Sequence, residues 1–497
     1  MPQTLLLREV RLVPIAPSDV AGAAPVDLLV VDGRVAAVGP VLDVPSPTTV
    51  VEGEGRWLIP GLWDQHVHLG QWASSRRRLD VAAVQSPEEL LALVAGRLAA
   101  FPGRPIVTWG HRAGSWRPLS VTELDAVTGA TPVGLIAGDG HQAWLNSAAL
   151  ASIGLPYRDD VVREAEWFDS FEKFQASMGA AATPADLAAA QRDAAAQGVV
   201  GLVDFEFSGG PFTWPAWHEA GATLLRVRAS TYPDGLETVM ASGLANGDAV
   251  PGTGGLVTMG PLKVIGDGSL NTRTAWCHHA YAESEQTTGP HHGAPNLSDL
   301  ELTGLLTRAH QHGLEAAVHA IGDQALSHTL EAFSRTGCRG SIEHVQLARP
   351  ADLQRMATLG IRASVQPAHL LDDRDLSMAL WPERSADCFA FATMAELGLD
   401  LRFGSDAPVA PLDPWLAITA AVERTADQRG PWHPEQILGR RQALAASTDG
   451  RGMVAVGHPG DLALLDADPL AGPGTPAVAG TWVQGAAVHL GTSITVR

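Results

Sequence analysis

Apolar and polar positions along this chain fall into distinct textures. Residues 1–57 read as short strands, TLLLREVRLVP, VDLLVVDGRVAAVG and TTVVEGEGRWL, with Asp32-Gly33 placed as a hairpin turn and no helical period. From Leu58 onward, apolar strand candidates alternate with Ala/Leu-rich helical segments, the pattern of parallel βα units. The strand candidates are 58–66, 198–206, 224–231, 262–266, 314–319, 341–345, 361–366 and 401–405, eight in all. Helical segments accompany several of them: PADLAAAQRDAAAQG, LTGLLTRAHQHG, DQALSHTLEAFSRTG, RPADLQRMATLG, FATMAELG and DPWLAITAAVER. In LTGLLTRAH, residues Leu302, Leu305, Leu306 and Ala309 follow the i, i+3, i+4, i+7 spacing of a helix covering a core. Eight parallel strands with outer helices make a (β/α)8 TIM barrel, so the fold class expected is α/β.

Two stretches fall outside that repeat. Residues 70–197 hold two further strand candidates, PIVTWG and PVGLIAG, and a polar segment around 156–185. They read as an insertion after the first barrel strand, either a lid over the C-terminal face or a subdomain without a part in the chemistry. Past about residue 445 the helical pattern fades, and GDLALLDADPL and AGTWVQGAAVHLG read as strands again. The expected organisation is a barrel over 58–445, with 1–57 and 446–497 meeting in one small composite β-sandwich.

Composition narrows the function classes. A length of 497 residues at 45% hydrophobic and 18% charged is that of a globular protein with ample core. A net charge of −20 argues against nucleic acid or an anionic membrane as partner. The apolar runs are too short for a membrane span, and charges in MPQTLLLREVRLVP leave no signal peptide, so the expected location is cytoplasmic. Cys277, Cys338 and Cys388 are scattered and odd in number, the usage of small buried hydrophobes. The expected partner is a small-molecule substrate, and a homo-oligomer is left open. All but two of the 34 basic residues are arginine, the exceptions being Lys173 and Lys263. A lysine kept in such a chain is a candidate for a role that arginine cannot fill.

The chemistry collects at strand ends, where barrels of this kind carry their reactive groups. In LIPGLWDQHVHL, His66 and His68 are two residues apart and point the same way from one strand. Strand four carries Lys263, strand five ends in His319, strand six contains His344 and strand eight runs into Asp406. Imidazoles and a carboxylate suit zinc or a similar divalent ion, and an ion with an open position lowers the pKa of bound water to about 7. Asp406 is the candidate general base, taking the proton from the attacking water and passing it to a leaving amine. Lys263 as an ammonium has only donors and repels cations. A buried lysine of depressed pKa can instead take up carbon dioxide to form a carbamate bridging two metals, the alternative being a salt-bridged lysine.

At these residues the chain resembles the amidohydrolase superfamily, and within it the YtcJ-like branch that includes N-substituted formamide deformylases. The matching segments are PGLWDQHVH, DGHQAWLNSAAL, LKVIGDGSLNTRTA, VHAIGDQA, IEHVQLARPADLQRMATLGIRASVQPAHLLDD and GSDAPVAPLDPWLAITAAVER, spanning nearly the whole barrel. The resemblance implies that His66, His68, Lys263, His319, His344 and Asp406 are metal ligands, with Lys263 carboxylated and Asp406 doubling as base. It also implies the composite β-sandwich. Two departures stand out: Gln65 beside His66, which hints at a reshaped first-strand pocket, and TDGRGMVAVGHPGDLALLD, which puts a local helix in doubt.

Outside that set, His141, Trp109 and His111 in the insertion are candidates for substrate contact, against ordinary packing. Asn271 and Arg273 follow Lys263, where an arginine either binds a substrate carboxylate or pairs with an acid. Asp204 and Glu206 read chiefly as structural hydrogen-bond partners. The expected activity is metal-dependent cleavage of a non-peptide C–N bond in an amide, formamide or cyclic amide, by attack of metal-bound hydroxide. A mononuclear deaminase or ester/lactone hydrolase on the same barrel is the alternative, and a catalytically silent scaffold the non-enzyme one. No G-x-S-x-G, H-E-x-x-H or phosphate loop is present.

Overall fold

Seven of the eight apolar runs, and the second half of the first, become strands of one parallel sheet in a computed structural model, which describes residues 4–22, 24–44, 48–111, 117, 119–207, 209–282 and 290–497. Residues 58–60 of the first run pair instead in the sheet built from the chain ends. The strands are Leu62–Val67, Val199–Asp204, Arg226–Thr231, Val257–Ile265, Ala316–Ala320, Gly340–His344, Arg362–Val365 and Leu401–Phe403, paired in chain order. A parallel bridge between Val67 and Ala407 joins last to first. Hydrogen bonds from Asp406 N to His66 O (2.7 Å) and from His68 N to Ala407 O (2.9 Å) complete that closure. The fold is thus the expected α/β barrel.

Local sequence explains the outer helices. Helix Asp299–Gln311 starts at Ser298, whose hydroxyl accepts from the Glu301 N–H while Glu301 reaches back, a capping box. It buries Leu302, Leu306 and Ala309, as its period predicts. Each buried leucine contributes about 1.5–3 kcal/mol of hydrophobic stabilisation. Helices Pro184–Ala196, Asp323–Thr336, Pro350–Leu359, Phe391–Glu396 and Pro414–Glu423 fall on the other expected segments. Helix Arg440–Ala446 also forms, just before the TDGRG departure. In that departure Asp449 accepts from Arg228 Nη2 (2.6 Å) and Gln65 Nε2 (3.2 Å), tying the turn to the barrel.

Both chain ends contribute to one nine-stranded sheet. Strand Thr4–Leu12 serves both halves of it because a register shift between Leu7 and Val10 bends it, with Glu9 at φ 49°. Its first part pairs with Val26–Val31 and Thr49–Glu52, its end with Trp57–Pro60. Leu462–Leu465 from the other chain end pairs antiparallel with Trp57–Pro60, delivering the chain directly into the first barrel strand. The Asp32-Gly33 turn forms with both residues at positive φ, the geometry of a tight hairpin.

Between the first and second barrel strands the chain builds a separate five-stranded sheet, ordered Val162–Arg163, Gln142–Leu145, Val133–Ala137, Ile106–His111 and Leu79–Asp80. It has apolar clusters of its own. Helix Pro184–Ala196 leaves that sheet and packs on barrel strand Val199–Asp204. Among the described residues no helix is long and apolar enough to cross a membrane.

Candidate metal centre

The end of the first barrel strand is held by the eighth. Asp64 Oδ1 accepts the N–H groups of His66 (3.1 Å) and Ser405 (2.9 Å), so one buried carboxylate fixes both chain segments. Gly404 permits their approach, since a Cβ there would lie 2.7 Å from His66 N. Two residues of the site occupy left-handed backbone that L side chains rarely adopt: His344 at φ 71° and Asp406 at φ 59°. Such conformations cost about 1–3 kcal/mol each and persist only where surrounding structure enforces them. Here they turn both side chains into the barrel mouth.

Ligand atoms of His66, His344 and Asp406 all lie within 4.8 Å of one another, and all three residues are buried. Asp406 Oδ1 is 3.4 Å from His66 Nε2 and 3.3 Å from His68 Nε2. The His319 ring lies 4.5 Å from that of His344, centroid to centroid. Lys263 Nζ stands 4.5 Å over the Phe205 ring, buried and with no hydrogen-bond partner among the described residues. His68 Nδ1 and His344 Nδ1 are also buried without a hydrogen-bond partner among the described residues. Leaving such groups unsatisfied costs about 1–3 kcal/mol apiece, so the imidazole and carboxylate lone pairs gathered here fit a bound cation. The residues present suit a divalent metal.

The electrostatics agree. Burial, then the neighbouring Lys263 and His344, push the His66 imidazole well below its usual range. His319 falls to about 3 through burial and Lys263, and His344 falls well below the usual value through burial and His319. These rings are neutral at pH 7, as metal ligation requires. Burial lowers the Lys263 ammonium to about 8, against the opposing pull of Glu343 and Asp406. Burial disfavours the Asp406 anion, but the His68 hydrogen bond and surrounding positive charge outweigh it and keep the carboxyl below its usual range. Burial raises Asp64 to about 7, partly offset by the Ser405 and His66 contacts.

Three groups escape a reading of the sequence alone. Glu343 Oε2 lies 2.8 Å from His66 Nδ1 and its other oxygen accepts from Ser341 Oγ (2.5 Å), so the ring is clamped with Nε2 toward the centre. Strict strand alternation sends Glu343 and His344 to opposite faces, so it gives no reason to expect both near His66; His344, at φ 71°, departs from the strand geometry on which that alternation rests. His369, first residue of helix His369–Leu380, stacks on His344 at 6.2 Å and places Nε2 4.0 Å from Asp406 Oδ2. It lies inside PAHLLDD, where histidine spacing alone gives no signal. Tyr232 lines the metal chamber, its hydroxyl donating to Phe205 O (2.8 Å).

The chamber opens into a cleft of about 430 Å³, with Asp139, His141, His319, His344 and Asp406 at their common boundary. Of the five residues expected to contact substrate, His141 and Trp109 line the chamber, Asn271 and Arg273 line the cleft, and His111 lies at its floor. His141 Nδ1 lies 3.0 Å from Glu164 Oε2; burial favours the neutral ring, but the Glu164 charge and hydrogen bond outweigh it and raise the pKa to about 9. Trp109 Nε1 donates to Pro408 O (3.2 Å), joining the insertion to the eighth-strand loop. Asn271 Nδ2 donates to Asp139 Oδ2 (3.1 Å). His111 is fully buried, with Nε2 3.0 Å from Leu135 O and its ring against Trp144, a packing role. Asp204 and Glu206 accept backbone N–H groups of Leu69 and Gln71, as structural acids do. Gln65 turns away from the pocket toward Asp449, so the first-strand departure reshapes the far side of the strand and leaves the chamber as it is.

Comparison with known proteins adds a lineage. The description "Amidohydrolase family" matches residues 49–489. The chain is 27% identical over 476 residues to the putative amidohydrolase YtcJ of Bacillus subtilis (strain 168), covering 86% of this chain and 87% of that one. It is 22% identical over 516 residues to the N-substituted formamide deformylase of Arthrobacter pascens, covering 89% and 90%. Among solved structures, an uncharacterized metal-dependent hydrolase from Pyrococcus horikoshii OT3 aligns over 95% of this chain and 99% of its own, with TM-score 0.76 and 25% identity.

Proposed function

Since the chain belongs to the amidohydrolase family, we propose that it hydrolyses a non-peptide C–N bond, in an amide, formamide or cyclic amide, at a two-metal centre. His66, His68, Lys263 as its carbamate, His319, His344 and Asp406 hold the ions, with zinc as the first candidate because neutral imidazoles and carboxylates suit it. The observation that carries this reading is Lys263 Nζ: buried, without a hydrogen-bond partner among the described residues, and one of only two lysines in the chain. A plain structural lysine would be paired; one destined for a carbamate needs the depressed pKa that burial supplies here.

When bound, such ions generate a nucleophile from water near neutral pH and polarise the substrate carbonyl. The protein's own part follows from the two faces of Asp406. Oδ1 points toward His66 and His68, whereas Oδ2 points toward His369 at the cleft. Asp406 takes the proton released as water attacks and returns it to the departing nitrogen. Glu343 keeps His66 oriented, and Trp109 and Tyr232 wall the chamber against bulk water. Formamides are the first substrates to screen, because the similar Arthrobacter pascens protein is a deformylase of N-substituted formamides.

Metal content per chain, with intact mass under non-denaturing conditions, tests the reading. Two ions and a mass increase of one carbon dioxide per chain are expected, both lost in Lys263→Ala. One ion without the increase would transfer the proposal to a mononuclear deaminase or ester/lactone hydrolase, for which the tight grouping of His66, His344 and Asp406 already provides a single site. No uptake of metal on reconstitution would leave only a silent scaffold.

A further inference from the structure

Asp406 can return its proton only if the leaving nitrogen presents a lone pair to it, and in a planar amide that lone pair is delocalised into the carbonyl. Something must set the nitrogen's orientation as the carbon becomes tetrahedral. His369 is placed for this. It lines the cleft beside Asp406 and His344, at the mouth of the metal chamber. Its Nε2 is buried without a hydrogen-bond partner among the described residues, 4.0 Å from Asp406 Oδ2. The ring lies parallel to His344, 19° between planes, a stacked arrangement in which the two rings do not hydrogen-bond edge to edge. In this orientation Nε2 faces the space beside Asp406 Oδ2.

We propose that His369 Nε2 accepts the N–H of the scissile amide and thereby turns the nitrogen's developing lone pair toward Asp406 Oδ2, making the site selective for amides that carry an N–H. The inference rests on the amide-hydrolase reading above. With the ring proton on Nδ1, Nε2 carries the accepting lone pair. As the tetrahedral carbon collapses, the C–N bond breaks and its electron pair stays on nitrogen. The nitrogen takes from Asp406 the proton that came from water, and the amine leaves with its original N–H still on His369. The carboxylic acid product keeps the water oxygen. Ester oxygen has no N–H to offer, and a phenolate of low pKa leaves without a proton, so neither needs His369.

The test compares formanilide and acetanilide with p-nitrophenyl formate and p-nitrophenyl acetate, using metal-loaded wild-type, His369→Ala and His369→Gln proteins of measured metal content. For His369→Ala we expect kcat on the anilides to fall about 100-fold, the scale of losing one positioned hydrogen-bonding group. We expect the esters to change less than about 3-fold, less than a general acid–base contribution. His369→Gln, whose side-chain carbonyl can accept the same N–H, restores part of the anilide rate. Parallel loss on anilides and esters, loss of metal in His369→Ala, or no loss on anilides would each overturn the proposal. Failure of metal-loaded wild-type protein on both substrate series is a different result, overturning the amide-hydrolase reading itself.

Discussion

Glu343 shows how much a single buried side chain can decide. Its carboxylate contacts no substrate cleft, yet it holds His66 Nδ1 at 2.8 Å and is itself held by Ser341. A ring whose second nitrogen is clamped offers its first in one direction, and loss of such a partner typically weakens metal binding about 10–100-fold. Glu343→Gln is therefore expected to lower metal affinity by that factor while leaving the fold intact, measured by competition with a chelator of known affinity. An unchanged affinity would mean that packing and Gln366 Nε2, 3.4 Å from the same ring nitrogen, suffice to orient His66. Gly404 acts at the same scale by having no side chain, since any Cβ would strike the His66 backbone.

At the scale of elements, the inserted sheet brings both chemistry and pH sensitivity. Its strand Ile106–His111 carries Trp109 to the chamber and buries His111 beneath the cleft. Burial, only partly countered by the Leu135 carbonyl, lowers the His111 pKa to about 4. An unfolded histidine takes up its proton near pH 6.5. Between those values the unfolded chain binds more protons than the folded one, so this contribution is whole above about pH 6.5 and is lost as pH falls toward 4. Going from pH 7 to pH 5 should remove about 2 kcal/mol of stability through this residue. Urea unfolding at both values should show wild type losing more than His111→Gln by that amount, and equal losses would refute the assignment. The same insertion supplies His141 and Glu164, and Thr272 on the loop after barrel strand four donates to Glu164 (2.7 Å), so sheet and barrel share one polar network at the cleft.

Over the whole molecule the centre acts as a clasp. Its residues come from strands one, four, five, six and eight, and the last of these closes on the first through the Asp406 and His68 backbone bonds. A bound ion would tie together segments more than three hundred residues apart in sequence. An ion held at about a thousandfold above its dissociation constant stabilises the native state by about 4 kcal/mol through mass action. Chelation should accordingly lower the melting temperature by several degrees and reconstitution should restore it, as followed by scanning calorimetry. A melting temperature indifferent to chelator would separate the site from the stability of the barrel.

Strand identity was a local matter and could be read from the chain. Runs such as Val199–Asp204 and Ala316–Ala320 are buried along their whole length, and a mainly apolar run between turn residues points to a central parallel strand. Because reactive groups in a barrel gather at strand ends, placing the strands also placed His66, His68, Lys263, His319, His344 and Asp406 near one another. The partners of those residues are another matter. Asp64 reaching Ser405, Glu343 reaching His66 and His369 reaching Asp406 link positions tens to hundreds apart, and each depends on strand register and on a backbone turn. The left-handed conformations at His344 and Asp406 have no local signature, since neither residue type demands them. At Asp406 the tertiary constraint is visible, because its N–H bond to His66 O ties the end of the eighth strand to the first. The sequence alone determined which elements form and which side chains carry the chemistry; the tertiary structure decided where each one points and what holds it there.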